Sequence, residues 1–121
     1  MKSVFAVIIC VLVALVRGGD LVPSLFHSEV IGGDKTWLIE FYSPMCGSCQ
    51  EFAPIWDKLE KNLKSTVSMG KINIDQKEGM KLAQDLGVLD EGIPIMRLFS
   101  KSGDKKGTSI TIGELMLRKM N

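Results

Sequence analysis

The segment TWLIEFYSPMCGSC, residues 36–49, places two cysteines directly after a strongly apolar stretch. Residues 36–42 are β-branched and aromatic with almost continuous apolarity, which predicts a strand that is covered on both faces. A Ser-Pro pair ends this strand. Apolar side chains then recur at spacings of three and four residues, which predicts an amphipathic helix over 49–63. Pro54 lies inside that helix and is expected to kink it, because proline removes an amide donor.

The rest of the chain alternates between helical and extended patterns. The sequence predicts a helix with Ser24 as its N-cap, and a second strand over 66–74 with a bulge near Gly70. The remaining predicted elements are a helix over 77–86, a strand over 95–99, a turn over 101–104, an edge strand over 106–111 and a helix over 113–120. This order predicts a three-layer α/β domain, with strands parallel where a helix connects them and antiparallel at the late hairpin.

Residues 1–18 have the pattern of a secretory signal peptide. A positively charged start precedes thirteen apolar residues, Val4 to Val16, and small residues follow. Since a bilayer-spanning helix needs about 20 apolar residues, this run is too short to cross comfortably. Cleavage after Gly18, or after Gly19, would leave residues 19–121 as the mature domain. An uncleaved signal anchor and a first core strand are the alternatives.

Composition limits the classes of partner. The 121 residues are 45% hydrophobic and carry 15 basic and 14 acidic side chains, which suits one domain and lacks the basic excess of nucleic-acid-binding proteins. Loss of residues 1–18 would remove Lys2 and Arg17, leaving 13 basic and 14 acidic groups, a net charge of −1. We therefore expect no nucleic acid partner, no attraction to acidic lipid and no stable membrane insertion after cleavage.

The pair Cys46 and Cys49 has a spacing and a location that suit redox chemistry. Cys46 falls at the predicted helix N-terminus, where free amide donors and the helix dipole favour a thiolate. Cys49 falls within the first turn, close enough to form a disulfide with Cys46. Cys46 could therefore attack a substrate disulfide while Cys49 resolves the mixed disulfide. Gly47 and Ser48 are small enough to keep the Cys46 sulfur accessible.

Two other interpretations of this cysteine pair are weaker. A structural zinc site has four ligands, whereas the mature chain would offer two cysteines and one distant histidine, His27, which is expected on a helix surface. A purely structural disulfide would close so small a loop that it would restrict the unfolded chain little. We therefore expect neither a metal nor a cofactor.

Residues 37–49 resemble the active-site segment of the thioredoxin-fold protein disulfide isomerases. Residues 71–75, Lys-Ile-Asn-Ile-Asp, and residues 92–94, Gly-Ile-Pro, resemble two further landmarks of that family, and Pro54 matches its helix-kinking proline. The similarity extends over residues 21–111. It implies a thioredoxin-like three-layer α/β/α sandwich with a mixed central sheet.

The resemblance implies roles for individual residues around the dithiol. Cys46 matches the nucleophile and Cys49 the resolving cysteine, and together they would form the redox-active disulfide. Glu40 matches the buried acid beneath the dithiol, and Lys71 matches the lysine that offers this acid a partner. A carboxylate in an apolar strand is costly unless it is paired or functional, and a raised pKa would let Glu40 accept the Cys49 proton. A purely structural Glu40–Lys71 ion pair is the alternative.

A substrate-binding rim is also implied by the resemblance. Pro94 matches the proline that the family holds in cis beside the active site, where Ile93 would present its backbone to an extended substrate. An ordinary trans-proline is the alternative. Met45, Gly47 and Ser48 complete the expected rim.

Three features depart from the family pattern. Met45 stands where the family usually has tryptophan, and Ser48 replaces the histidine typical of disulfide isomerases. That histidine favours the thiolate, so its absence predicts a weaker oxidant, displaced from about −180 mV toward about −270 mV. Residues 89–91, Leu-Asp-Glu, lengthen the loop before Pro94.

These features predict a thiol–disulfide oxidoreductase, or protein disulfide isomerase, acting on cysteines of secretory-pathway client proteins. The expected location is the lumen of the endoplasmic reticulum, with secretion as the alternative. A thiol oxidase or glutathione is the expected redox partner, and the chain is expected to be a monomer. Two alternatives remain open: a redox-inactive adaptor that binds unfolded chains through the rim, and a domain that works only beside others.

Overall fold

A four-stranded sheet is built around the apolar strand β1, Trp37–Tyr42. The computed structural model describes residues 20–101 and 105–120. β2 (Ser68–Asn73) runs parallel to β1, whereas β3 (Ile95–Phe99) pairs antiparallel with the other side of β1. β4 (Thr108–Ile110) pairs antiparallel with β3. The order β2–β1–β3–β4 makes the sheet mixed, as the sequence predicted.

Within the described residues, four α-helices accompany the sheet. They are α1 (Pro23–Leu25, continued by a π-helix over Phe26–Ile31), α2 (Gly47–Leu63), α3 (Lys77–Asp85, followed by a 3₁₀ turn over Val88–Asp90) and α4 (Ile112–Met120). α2 passes through Pro54 as one helix. The kink at this proline remains a prediction.

Apolar side chains are buried on both faces of the sheet. One core combines alternate residues of β1 with the π-helix and α3, and includes Trp37, Phe41, Phe26, Leu82 and Phe99. The opposite core combines the intervening residues of β1 with α2 and α4, and includes Leu38, Trp56, Leu59, Met96 and Leu115. Burial of each such large side chain stabilises the fold by roughly 1.5–3 kcal/mol. Helices therefore cover both faces, and the predicted three-layer α/β/α sandwich is confirmed.

The direction of β3 differs from the expectation that helix-connected strands run parallel. α3 follows β2, yet β3 runs antiparallel to β1 and therefore also to β2. The reason lies in the connection: Ile95 pairs with Phe41, at the end of β1 from which the chain enters the dithiol segment. The nine residues of α3 and the loop after it return the chain to the end of the sheet where β2 stopped.

The expected bulge near Gly70 is also wrong. β1 and β2 keep an uninterrupted register from Trp37 opposite Ser68 to Tyr42 opposite Asn73. Met69 belongs to one core and Ile72 to the other, so the change of phase reflects a strand that is buried on both faces.

The helix near the N-terminus begins differently from the prediction. Its N-cap is Val22 rather than Ser24, and no side chain caps it. Pro23 occupies the first helical position, where its fixed φ suits the helix and its missing N–H costs nothing. The Ser28 hydroxyl donates to the Leu25 carbonyl oxygen at 3.1 Å.

The predictions for the chain ends are tested only in part. β4 is shorter than the predicted edge strand over 106–111, and α4 begins one residue before its predicted start. The predicted signal peptide, 1–18, and residues 102–104 of the predicted hairpin turn lie outside the described residues. Within the described part of the chain, no helix combines the length and apolarity needed to span a bilayer.

Candidate active site

Cys46 is the N-cap of α2, so its sulfur lies where the first helical amides are free. The Cys49 amide donates to Cys46 Sγ at 3.2 Å, and the Ser48 hydroxyl lies 3.2 Å from the same sulfur. The side chain is partly exposed. The local fold thus surrounds one reachable sulfur with hydrogen-bond donors, as the helix pattern predicted.

These contacts lower the pKa of the Cys46 thiol. The side-chain hydrogen bond from Cys49 is the largest cause, followed by the one from Ser48, and the backbone amides of both residues add to it. Because each of these bonds favours the charged form, Cys46 has more thiolate than an ordinary cysteine at neutral pH.

Cys49 lies in the opposite environment, one turn into α2. Only 4% of the residue is exposed. Burial raises the pKa of the Cys49 thiol to about 11, and its hydrogen bond to Cys46 and the charge of Glu40 add to the rise. Cys49 is therefore a protonated thiol at neutral pH, held in hydrogen-bond contact with a sulfur that ionises readily.

Glu40 is buried at the middle of β1, with 2% of the residue exposed. It shares a face of the strand with Leu38, which packs in the same core as Trp56 of α2. Burial raises the pKa of Glu40 to about 7, while the positive charge of Lys71 acts in the opposite direction. A carboxyl group in this position can exchange a proton near neutral pH.

Lys71 lies directly opposite Glu40 in the β1–β2 register, as the sequence led us to expect. Its ammonium, however, lies over the ring of Tyr42, with Nζ 4.7 Å from the ring centroid. The Tyr42 hydroxyl donates to the Asp20 carboxylate at 2.8 Å. Among the described residues, no Glu40–Lys71 ion pair within 4.0 Å is formed. The lysine thus acts on Glu40 through its charge rather than through a contact pair.

The loop before β3 faces the dithiol from the other side. The Ile93–Pro94 peptide bond is cis. The Ile93 carbonyl oxygen lies 4.0 Å from Cys46 Sγ, which places this backbone beside the exposed sulfur. The two segments that carry the family resemblance, residues 37–49 and 92–94, are therefore in contact.

The remaining predicted rim residues lie on either side of Cys46 in the chain. Met45 is 86% exposed, and Gly47 and Ser48 are exposed as well. A Cβ added at Gly47 would meet no atom within 4 Å. An exposed apolar side chain therefore lies next to the partly exposed Cys46.

The thioredoxin family profile matches residues 19–117, which is most of the chain. The chain belongs to the thioredoxin family. Its mixed sheet between two helical layers is the thioredoxin fold, and its exposed and buried cysteines stand at the start of α2.

The relatives of this thioredoxin domain include several protein disulfide isomerases. It is 40% identical over 86 residues to protein disulfide-isomerase A6 of Mus musculus, an alignment that covers 71% of the chain and 19% of that protein. It is 34% identical over 87 residues to DnaJ homolog subfamily C member 10 of Xenopus laevis, covering 72% of the chain and 10% of that protein. The domain thus spans a fifth or less of the length of these relatives.

A solved domain of similar size agrees with this assignment. The crystal structure of the Trx4 domain of ERdj5 superposes with a TM-score of 0.71 at 28% sequence identity, covering 87% of this chain and 96% of that one. The family and the geometry of the dithiol together support a thiol–disulfide oxidoreductase function.

Ser43 contributes to the site of this thioredoxin domain in a way the sequence analysis missed. It is buried, and its hydroxyl donates to the Asp75 carboxylate at 2.8 Å and accepts from the Met45 amide at 3.1 Å. Its carbonyl oxygen accepts from the Cys46 amide at 3.1 Å. Serine before proline signals side-chain bonding to nearby backbone, so the Ser-Pro pair could have indicated this bracing of the dithiol loop.

Within residues 20–101 and 105–120, no three His, Cys, Asp or Glu side chains are grouped to hold an ion. The free thiols Cys46 and Cys49 are the groups that could react.

Proposed function

We propose that this domain is a thiol–disulfide oxidoreductase that acts on cysteines of client proteins through Cys46 and Cys49. The observation that carries the proposal is a partly exposed N-cap sulfur whose pKa is lowered, in contact with a buried thiol whose pKa is raised. That pairing separates an attacking group from a resolving group, which is what disulfide exchange requires.

The first step is attack by the Cys46 thiolate on one sulfur of a substrate disulfide. A Cys46–substrate S–S bond forms as the substrate S–S bond breaks, and the second substrate sulfur leaves as a thiolate. The Cys46 sulfur is partly exposed and lies next to exposed Met45, so a polypeptide disulfide can approach it. The leaving thiolate then takes a proton from solvent.

The second step is resolution by Cys49. The Cys49 proton passes to ionised Glu40, directly or through one water, and the new thiolate attacks Cys46 Sγ. A Cys46–Cys49 disulfide forms while the remaining substrate sulfur leaves as a thiolate. The substrate has gained two electrons and the domain has lost two. In the reverse direction, the same steps donate a disulfide to a client protein. If a substrate thiolate displaces Cys46 from the mixed disulfide before Cys49 attacks, the substrate disulfide is isomerised.

The proposed cellular setting is the secretory pathway, with the lumen of the endoplasmic reticulum as the specific location. The signal-peptide pattern at residues 1–18 and the relatives named as disulfide isomerases support it. A thiol oxidase or glutathione would return the dithiol to its starting state. Translation with microsomes should yield a protected chain that begins at Gly19 or Asp20, and an uncleaved, unprotected product would reject this setting.

The test of the oxidoreductase function is replacement of the attacking sulfur. Cys46→Ala should reduce insulin reduction and the refolding of a scrambled disulfide substrate to background, because no other exposed thiol lies in the described structure. Lys58→Ala is a matched control at an exposed position of α2, and it should retain activity. Activity that survives in the Cys46 variant would reject the proposal.

A second candidate function is binding of unfolded chains without redox turnover. The 86% exposure of Met45 favours it, because a flexible apolar side chain can contact varied sequences. Suppression of aggregation by a Cys46→Ala/Cys49→Ala variant, together with an inactive unmodified protein, would support this adaptor role. If the unmodified protein has redox activity and this variant loses it, the result supports the oxidoreductase function instead.

A further inference from the structure

We propose that Arg97, acting through Glu91, positions the Ile93 backbone beside Cys46 and so favours polypeptide disulfides over small ones. This inference rests on the proposed oxidoreductase function. Arg97 lies in β3 and touches neither cysteine, so it is a positioning residue.

The Arg97 side chain forms several hydrogen bonds beside the loop that precedes β3. It is 7% exposed, and its Nη1 donates to the carbonyl oxygens of Leu86 at 2.7 Å and Lys106 at 2.9 Å. Its Nε donates to Ser109 Oγ at 3.3 Å, and its Nη2 pairs with the carboxylate of Glu91. One side chain thus joins the end of α3, the loop before β3 and the β3–β4 hairpin.

The charges of this pair fix its geometry. A buried guanidinium is costly without an anion, so Arg97 holds the Glu91 carboxylate in place. The Ser109 hydroxyl, and after it Arg97, keep the pKa of Glu91 below its ordinary value. Glu91 is therefore a carboxylate throughout the neutral range, and the ion pair persists wherever the dithiol chemistry operates.

The connection from Glu91 to the dithiol is only two residues long. The Glu91 amide donates to the Val88 carbonyl oxygen at 3.1 Å, so both its backbone and its side chain are bound. Gly92 follows with a φ of +85°, a conformation that glycine adopts readily. A Cβ at Gly92 would meet nothing within 4 Å, so no side chain closes around this glycine. The Ile93 side chain packs against the core that contains Trp37 and Phe99. The anchored Glu91 therefore acts together with this packing in placing the Ile93 backbone.

Both ends of the Ile93 segment depend on the same guanidinium. Glu91 precedes Ile93 by two residues, and Arg97 itself follows Ile95, the first residue of β3. Residues 89–91, which the sequence comparison with the family pattern singled out, include the carboxylate of this contact. The loop before Pro94 thus contains its own anchoring residue, Glu91.

The consequence for substrates depends on their size. A polypeptide that lies along the rim can bond to the backbone at Ile93 while its disulfide meets Cys46, 4.0 Å away. If the Ile93 backbone were displaced, the substrate disulfide would be less well aligned with the Cys46 sulfur, and its reaction would slow. A small disulfide contacts the Cys46 sulfur with little else, so it gains less from the position of Ile93.

The experiment compares a disulfide-containing decapeptide with a small aromatic disulfide such as dithionitrobenzoate. We expect Glu91→Ala to lower the peptide-to-small ratio of kcat/KM by about fivefold to tenfold, the equivalent of one ordinary hydrogen bond, mainly through KM. Glu91→Gln keeps an acceptor and should lose less. Asp85→Asn, in the exposed Lys81–Asp85 pair with 2.8 Å between its charged atoms, is the matched control and should leave the ratio unchanged.

A second variant separates positioning from folding. A Glu91→Asp variant retains an anion beside Arg97 and leaves the Arg97 hydrogen bonds to Leu86 and Lys106 in place, while it shortens the anchor by one methylene. A lowered ratio with an unchanged melting temperature supports the proposal. An unchanged ratio in Glu91→Ala, or equal losses for both substrates, overturns it. If the unmodified protein reduces neither substrate, the proposed oxidoreductase function itself fails, which is a distinct result.

Discussion

The surroundings of Cys46 and Cys49 differ more than their three-residue separation suggests. Cys46 caps α2 from a partly exposed position, and hydrogen bonds lower its pKa. Cys49 lies in the first turn, and burial raises its pKa to about 11. Both residues are cysteines, so their different surroundings alone distinguish the roles that we propose for them. Hydrogen-bond donors stabilise a thiolate and lower the thiol pKa, which suits an attacking group. Burial away from water raises the thiol pKa, which suits a resolving group.

The largest expected effect comes from removing the buried member of the pair. Cys49→Ala leaves Cys46 able to attack but unable to be released, so turnover should stop and mixed disulfides should accumulate. Non-reducing gels of a client mixture would show these adducts, and Cys46→Ala would show none. Full turnover by the Cys49 variant would mean that the two sulfurs do not divide the reaction.

Removing the acid beneath Cys49 should have the next largest effect. Glu40 must be ionised to accept a proton, and its pKa is about 7, so release of the mixed disulfide should accelerate as pH rises through 7. Glu40→Gln should slow that release by about 10²-fold and abolish the inflection, as expected for loss of a general base. Stopped-flow measurement of the release rate, over a range of roughly pH 5 to 9, tests this. Glu51→Gln, at an exposed position of α2, should retain the wild-type profile.

The reduction potential should respond to the side chain beside Cys46. We expect a wild-type value between about −270 and −180 mV, because Ser48 supports the thiolate less strongly than a histidine would. Ser48→His should raise the potential, and Ser48→Ala should lower it by removing a hydroxyl donor. A glutathione titration measures all three proteins. A wild-type potential above the isomerase value would contradict the expectation.

The smallest effect is expected at Lys71. Its charge lowers the pKa of Glu40, so Lys71→Met should move the inflection of the release step to higher pH. The shift should be modest because the ammonium lies over Tyr42 and forms no contact pair with Glu40. Lys81→Met, at an exposed pair, is the matched control. A downward shift would show that the lysine has another role.

The sequence was sufficient for most of the fold and for the dithiol. The apolar run before Cys46 and the helical spacing after it located the strand–helix junction, because each element carries its own periodicity. The family resemblance implied that Lys71 lies near Glu40, and the β1–β2 register places the two residues opposite each other. The strand–helix junction depends on the local periodicity of apolar residues, and the β1–β2 pairing depends on the helical connection between two parallel strands.

The rest depended on contacts between distant segments. The direction of β3 is set by where the loop after α3 returns, and no periodicity records that path. The contacts of Arg97 with Leu86 and Ser109 exist only once β3 runs antiparallel. Lys71 likewise lies over Tyr42, whose hydroxyl is bound by Asp20, 22 positions away.

The two tryptophans offer a way to watch the layers separately. Trp37 belongs to one core and Trp56 to the other, and each is 1% exposed. Single-tryptophan variants would therefore carry one fluorescent reporter per layer. Superimposable melting curves from the two would establish that both sides of the sheet come apart in a single cooperative transition.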